Sequence, residues 1–166
     1  MNYDQFIKKF NLPTGYIAPR KLVYEDLIAR PLTKNDLDDD LAAVNASVET
    51  IRKTRGGSWP EGPLDEAFDF EDLAWHQREF RDSNSFAYVV YTTNGIYVGC
   101  LYLYRLGVRT ELSEALLQYD VDASWWVTTD AYEKGYYTKL YLAIKQWLAE
   151  SFPFKNAYYS NKEIPA

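Results

Sequence analysis

Apolar residues recur along this chain with two different periods. From Leu22 to Leu32 (LVYEDLIARPL) they alternate, which predicts a strand. Beyond it Leu37, Leu41, Val44, Val48 and Ile51 fall at helical spacing, and Thr33 followed by Lys34, Asn35 and Asp36 supplies a cap and an acid for the first turn. A helix is therefore predicted over about 34–53, with Asp38, Asp39 and Asp40 as a solvated face. The stretch from Arg55 to Phe70 is broken by three glycines and two prolines and reads as loop, and FEDLAWHQREF (Phe70 to Phe80) reads as a second helix. His76 sits mid-helix beside Trp75, where a packing role is expected.

SFAYVVYTT (Ser85 to Thr93) is a strand, Asn94-Gly95 is a hairpin turn, and IYVGCLYLYRL returns antiparallel to it. Cys100 lies in that returning strand and is expected to be buried and inert. Ala115 to Thr128 predicts another strand. A glycine loop, Glu133-Lys134-Gly135-Tyr136, then leads into a helix to Ser151 whose Leu140, Ile144, Trp147 and Leu148 share one face. NAYYS (Asn156 to Ser160) is a last strand. A helix joining the last two strands makes them parallel, and at such a point a ligand can lie with its charged end at the helix N-terminus. The fold class is α/β (α+β), with a mixed, mostly antiparallel sheet and helices on both faces.

Composition narrows this further. One domain is expected from 166 residues, at 21–166, behind a polar N-terminal arm, 1–20, that is broken by Pro13, Gly15 and Pro19. A net charge of −6 gives no general attraction to nucleic acid or anionic membrane, and the expected partners exclude both. Neither a bilayer-spanning run nor a signal peptide is evident, so a cytoplasmic protein is expected. No metal cluster is expected.

The residues from Ala29-Arg30-Pro31-Leu32 with Asp36, through the Asn94-Gly95 hairpin and the Trp126-Val127 strand, to Asn161 resemble the GNAT superfamily of N-acetyltransferases. The family pattern is a basic or amide residue, two variable positions, glycine, one variable position, then glycine or alanine, and its backbone amides bind the coenzyme A pyrophosphate. On Gly135 this alignment puts Tyr132 first and Tyr137 last, both departures. Glu133, Lys134, Gly135, Tyr136 and Thr138 fit, and ribosomal-type members carry GYAT where this chain has GYYT. The resemblance implies acetyl-CoA as co-substrate, held by that loop, by the backbone of Trp126, Val127 and Thr128, and by Asn161. It implies direct acetyl transfer to a small-molecule or peptide amine. Relative to the family the chain lacks the usual last helix and two strands and the tyrosine that helix often carries. Tyr158, Tyr159 or a second subunit would have to replace that tyrosine, unless the thiolate leaves unaided. The sheet edge so exposed invites a homodimer or cover by the arm.

An amine must lose its proton to attack, and the family position of that base falls at Asp122. Asp120 shares its strand face by the period of two, where two acids would raise one another's pKa. For the acceptor, the early loop carries Glu61, Asp65, Glu66, Asp69, Glu71 and Asp72 beside Trp59, with no Lys or Arg from 57 to 76. Trp59, Asp65 and Glu66 could hold a cationic amine; the competing reading is a solvated loop anchored by Trp59. A second function also fits the departures at Tyr132 and Tyr137: a catalytically silent binding protein on the same fold.

Overall fold

The computed structural model describes residues 6–166, so the first five residues of the predicted arm lie outside the described residues. Six strands form one sheet in sequence order: β1 (Leu22–Tyr24), β2 (Leu27–Pro31), β3 (Phe86–Thr92), β4 (Tyr97–Tyr104), β5 (Val121–Val127) and β6 (Ala157–Tyr159). Every neighbouring pair is antiparallel except β5 with β6, which is parallel. The predicted strand Leu22–Leu32 is thus a hairpin. Its turn holds Glu25 at φ 48, and Asp26 there accepts from Lys139 Nζ at 2.8 Å and Tyr136 Oη at 2.5 Å.

The predicted helix over 34–53 is a 3-10 turn (Lys34–Asp36) and two helices, α1 (Leu37–Asn45) and α2 (Val48–Thr54). The break has a tertiary cause: Ser47 Oγ accepts the backbone N–H of Thr129 at 3.0 Å, and Thr50 meets the Thr129 hydroxyl at 2.7 Å, so α2 is aimed at the end of β5. Helix α3 (Glu66–Arg81) begins four residues before its apolar pattern does, because Asp65 caps it by accepting from the Phe68 N–H at 2.7 Å. Before β5 the chain makes a 3-10 turn at Glu114–Gln118 where strand was predicted. After β5 come the short α4 (Thr129–Glu133) and the long α5 (Tyr136–Ser151).

The two faces of the sheet are covered separately. Helix α5 packs Leu140, Ile144 and Trp147 on one face against Val121, Ala123, Trp125 and Val127. Helices α1 to α3 cover the other, where Val44, Ile51 and Leu73 meet Cys100, Tyr102 and Trp126. Period-two alternation therefore sends the adjacent Trp125 and Trp126, both fully buried, into different cores. Gly99 lets β4 approach β5, since a Cβ there would stand 1.9 Å from the Trp126 carbonyl oxygen.

One surface expectation is overturned. Asp40 is 3% exposed and belongs to a buried acidic group with Asp69, beside Tyr97 and Cys100. The helical spacing of Asp40 with Leu37, Leu41 and Val44 already puts it next to the apolar stripe, and Asp38 and Asp39 are exposed as expected. Cys100 and His76 are buried. Among the described residues no helix is long and apolar enough to cross a membrane, and no group of acids, cysteines and histidine is arranged to hold a metal.

Candidate active site

Strands β5 and β6 pair only over Val121–Ala123 and Ala157–Tyr159, flanked by bonds from Asp120 N–H to the Asn156 carbonyl at 2.9 Å and from Ser160 N–H to the Ala123 carbonyl at 3.0 Å. Beyond that point they part, and β5 runs on to Val127 alone on this side. Alternation turns the backbone groups of Trp125 and Val127 into the gap, and those of Trp126 and Thr128 toward β4; Thr128 N–H bonds the Val98 carbonyl at 2.9 Å. Of the three residues expected to hold the pantetheine arm through backbone, only Val127 faces the gap.

The inner part of the gap is filled by the chain itself. Asn161 lies across it, accepting the Trp125 N–H at 3.1 Å and donating Nδ2 to the Trp125 carbonyl at 2.9 Å, so a side-chain amide stands where the next β6 residue would pair. Lys162 N–H then bonds the Arg55 carbonyl at 3.0 Å and Glu163 N–H the Thr54 carbonyl at 2.8 Å, which ties this segment to the end of α2. Tyr137 completes the plug: its ring is 5.0 Å from that of Trp125, and its hydroxyl donates to the Glu163 carbonyl at 2.5 Å and accepts from Asn161 at 2.8 Å. Burial pushes this phenol up to about 12. The ring thus points inward, under the glycine loop. Tyr132 donates to the Glu163 carboxylate at 3.0 Å and lies 5.6 Å from the Tyr137 ring.

The outer part is a helix N-terminus. Gly135 caps α5 in the left-handed region at φ 86, with open space where a Cβ would stand. The N–H groups of Tyr136, Tyr137 and Thr138 occupy the first three helical positions, which have no intrahelical acceptor. A 16-residue helix adds its dipole there. Lys134 is exposed and its ammonium pairs with Asp130 at 2.8 Å. These groups fit a pyrophosphate by backbone donation, with Glu133 exposed beside them. The inner gap fits a pantetheine arm only once Asn161–Glu163 gives way.

Under the parting strands, on the α1–α3 face, sits a polar cluster. Asp122 is fully buried, with Oδ1 accepting from the Ser160 hydroxyl at 2.5 Å; burial raises its pKa, and Ser160 and Arg109 partly oppose the rise. Asp120 lies outside the strand and spends both oxygens on the N–H groups of Lys155 and Asn156, at 2.7 and 3.0 Å, which sets the start of β6. Burial, not Asp120, therefore shifts Asp122. Arg109 bonds Ser160 Oγ at 3.0 Å and the Arg55 carbonyl at 2.7 Å, and Arg55 donates to Ser124 Oγ at 3.2 Å. Arg55, Arg109, Ser124 and Ser160 escape sequence reading because no spacing links them; only the fold brings them to Asp122.

The early loop borders this cluster. Trp59 packs against Trp126 with centroids 6.3 Å apart, and stands between two cavities. One, of about 400 Å³, is lined by Trp59, Glu61 and Asp65; the other, of about 210 Å³, lies deeper between Arg55, Trp59, His76 and Tyr102. Asp65 is partly spent on its helix cap, and Glu66 is exposed on the first turn of α3 without lining either cavity.

Comparison with known proteins agrees with this geometry. Residues 26–161 match the model of the acetyltransferase (GNAT) domain, and the chain belongs to that family, a family of N-acetyltransferase enzymes. No curated protein sequence matches. Among solved structures, the ribosomal L7/L12 alpha-N-protein acetyltransferase RimL in complex with coenzyme A superposes with a TM-score of 0.59 at 12% identity, over 81% of this chain and 68% of that one. The ribosomal-protein-S5-alanine acetyltransferase of Vibrio fischeri gives 0.56 at 9% identity, over 77% and 66%. The microcin C7 self-immunity acetyltransferase MccE, in complex with acetyl-CoA and AMP, gives 0.57 at 8% identity, over 78% and 67%. At such identities the likeness is one of fold, and this chain spans about two thirds of the length of each.

Proposed function

We propose that this protein transfers an acetyl group from acetyl-CoA to a small-molecule or peptide amine by direct attack. The observation that carries the reading is the parting of β5 from β6 after Ala123, with the N-terminus of α5 at the mouth of the gap. Acetyl-CoA, when bound, supplies the activated acyl group. The N–H groups of Tyr136 to Thr138 would hold its pyrophosphate, with Tyr132, Glu133, Lys134 and Gly135 shaping that loop. Val127 would hold the arm as a neighbouring strand does, and Asn161 would exchange its bonds to Trp125 for bonds to the ligand. Asp122 would take the ammonium proton, and the rise of its pKa by burial makes it a stronger base than an ordinary carboxylate. RimL, an alpha-N-protein acetyltransferase, and MccE, bound to acetyl-CoA, lend support by fold.

A second reading, a silent GNAT-fold binding protein, is favoured by the Tyr137 ring and Asn161–Glu163 in the gap. One pair of measurements separates the two: thermal unfolding with acetyl-CoA, and release of free thiol with a panel of amines. A rise in melting temperature together with amine-dependent thiol release is the expected result. Stabilisation without release on any amine leaves the silent reading. No stabilisation, and no coenzyme A retained in native mass spectrometry, overturns acetyl-CoA binding and with it the proposal.

A further inference from the structure

The 210 Å³ cavity is chemically unlike the acidic loop above it. Its walls are Arg55, Trp59, Asp72, His76, Tyr102 and Tyr104. Arg55 is 5% exposed, and among the described residues no carboxylate lies within the 4 Å of an ion pair to it or to Arg109. Asp122 is the one buried acid of this cluster, against two guanidiniums, and Arg109 feels the excess: burial and then Arg55 bring its pKa down to about 10. A buried charge without a partner is costly.

Aromatic rings cover only part of that cost. The Arg55 guanidinium carbon lies 4.6 Å from the centre of the Tyr102 ring and 5.7 Å from that of Trp59. Rings attract the faces of a guanidinium, whereas its N–H groups point outward in its plane. In that plane one nitrogen donates to Ser124, and the Nε–H is buried with no acceptor. The Trp59 indole N–H and His76 Nδ1 are likewise buried without a partner. His76 Nε2 is 3.5 Å from Asp72, which is partly exposed at the rim.

We propose that this cavity is a carboxylate subsite, and that the acceptor is an amine carrying a carboxylate, an amino-acid-like molecule. An anion there completes the Arg55 edge, accepts from the Trp59 indole and balances the buried charge, while the acids Glu61 and Asp65 on the other side of Trp59 face the cationic end. Calling the ligand the acceptor rests on the acetyl-transfer reading; binding of the carboxylate does not.

Tryptophan fluorescence of the full chain, titrated with benzoate and with benzamide, tests the site without any acyl donor. The two probes share shape and differ in charge. Benzoate should give a saturable change that Trp59→Phe removes, and benzamide should bind at least tenfold more weakly. Arg55→Gln should abolish the difference and Arg55→Lys retain part of it. Equal binding of the two probes, no saturable change with benzoate, or benzoate binding untouched by Arg55→Gln overturns the subsite; the wild-type pair decides if the variants do not fold. Thiol release with amino acids against their carboxamides then tests the acceptor. Benzoate binding with no thiol release on any amine would sink acetyl transfer and spare the subsite.

Discussion

Asp122 shows how a single side chain acquires a role from its neighbours. Its position on a strand was readable, and so was its pairing in sequence with Asp120, but the two acids separate because β5 begins at Val121 and Asp120 is drawn to the amides before β6. What remains is one buried carboxyl held by Ser160, with its pKa raised by desolvation. A base of this kind is protonated at low pH, so the turnover of amines should rise as pH passes its raised pKa. Asp122→Asn should lower kcat/KM by about 10²-fold or more with little change in the Kd for acetyl-CoA, and should remove that acidic limb. Initial rates of thiol release across pH 5 to 9 check this. An unchanged pH profile would place the base elsewhere. Ser160→Ala, which frees Asp122 from its one short bond, should move the limb to higher pH.

At the scale of elements, the helices and the hairpin were legible because each has its own period or turn. Boundaries set by tertiary contact were not: Ser47 breaks a helix to bond Thr129, and the Leu22–Leu32 strand folds back because Asp26 is claimed by α5. Tyr137 is the sharpest case. The sequence places a ring at a position where the family has a small residue; only packing reveals that the ring enters the gap and is stapled to Asn161–Glu163. Tyr137→Phe removes the bond to the Glu163 carbonyl and leaves that carbonyl and the Asn161 amide short of a partner, at a cost of about 1–3 kcal/mol. The melting temperature should fall by several degrees, while coenzyme A should bind more tightly because the segment it displaces is held less firmly. Calorimetric titration of coenzyme A into the variant measures the second effect. Weaker binding would mean that the hydroxyl contacts the ligand and does not merely hold the plug.

Taken as a whole, the molecule is two cores divided by a sheet, and the α1–α3 core is the one that carries acids. Its polar members were hidden from sequence because a run such as Asp38-Asp39-Asp40 reads as surface until the neighbouring helix arrives; α3 brings Asp69, fully buried, to Asp40. Desolvation raises both pKa values above the usual 3.8; at Asp40 the Asp69 carboxyl and Asp72 add to the rise and Tyr97 opposes it, while at Asp69 the hydrogen bond with Asp40 and the nearby His76 oppose it and Asp72 adds to it. Cys100, 3.9 Å from Asp40, is a neutral neighbour whose own pKa burial lifts. The sign of the effect on stability follows. The folded protein keeps protons that the unfolded chain releases, so stability is complete below pH 3.8 and declines as pH rises through the range above it. Each unit of pH in which one such proton is retained costs about 1.4 kcal/mol. Asp40→Asn supplies a neutral amide that can donate to Asp69, and should abolish most of this decline: it should melt above the wild type at pH 8 and lose that advantage near pH 4. Calorimetric melts at both values decide it. A wild-type melting temperature that climbs between pH 4 and pH 8, with the variant running parallel, would show that the buried pair does not govern the balance.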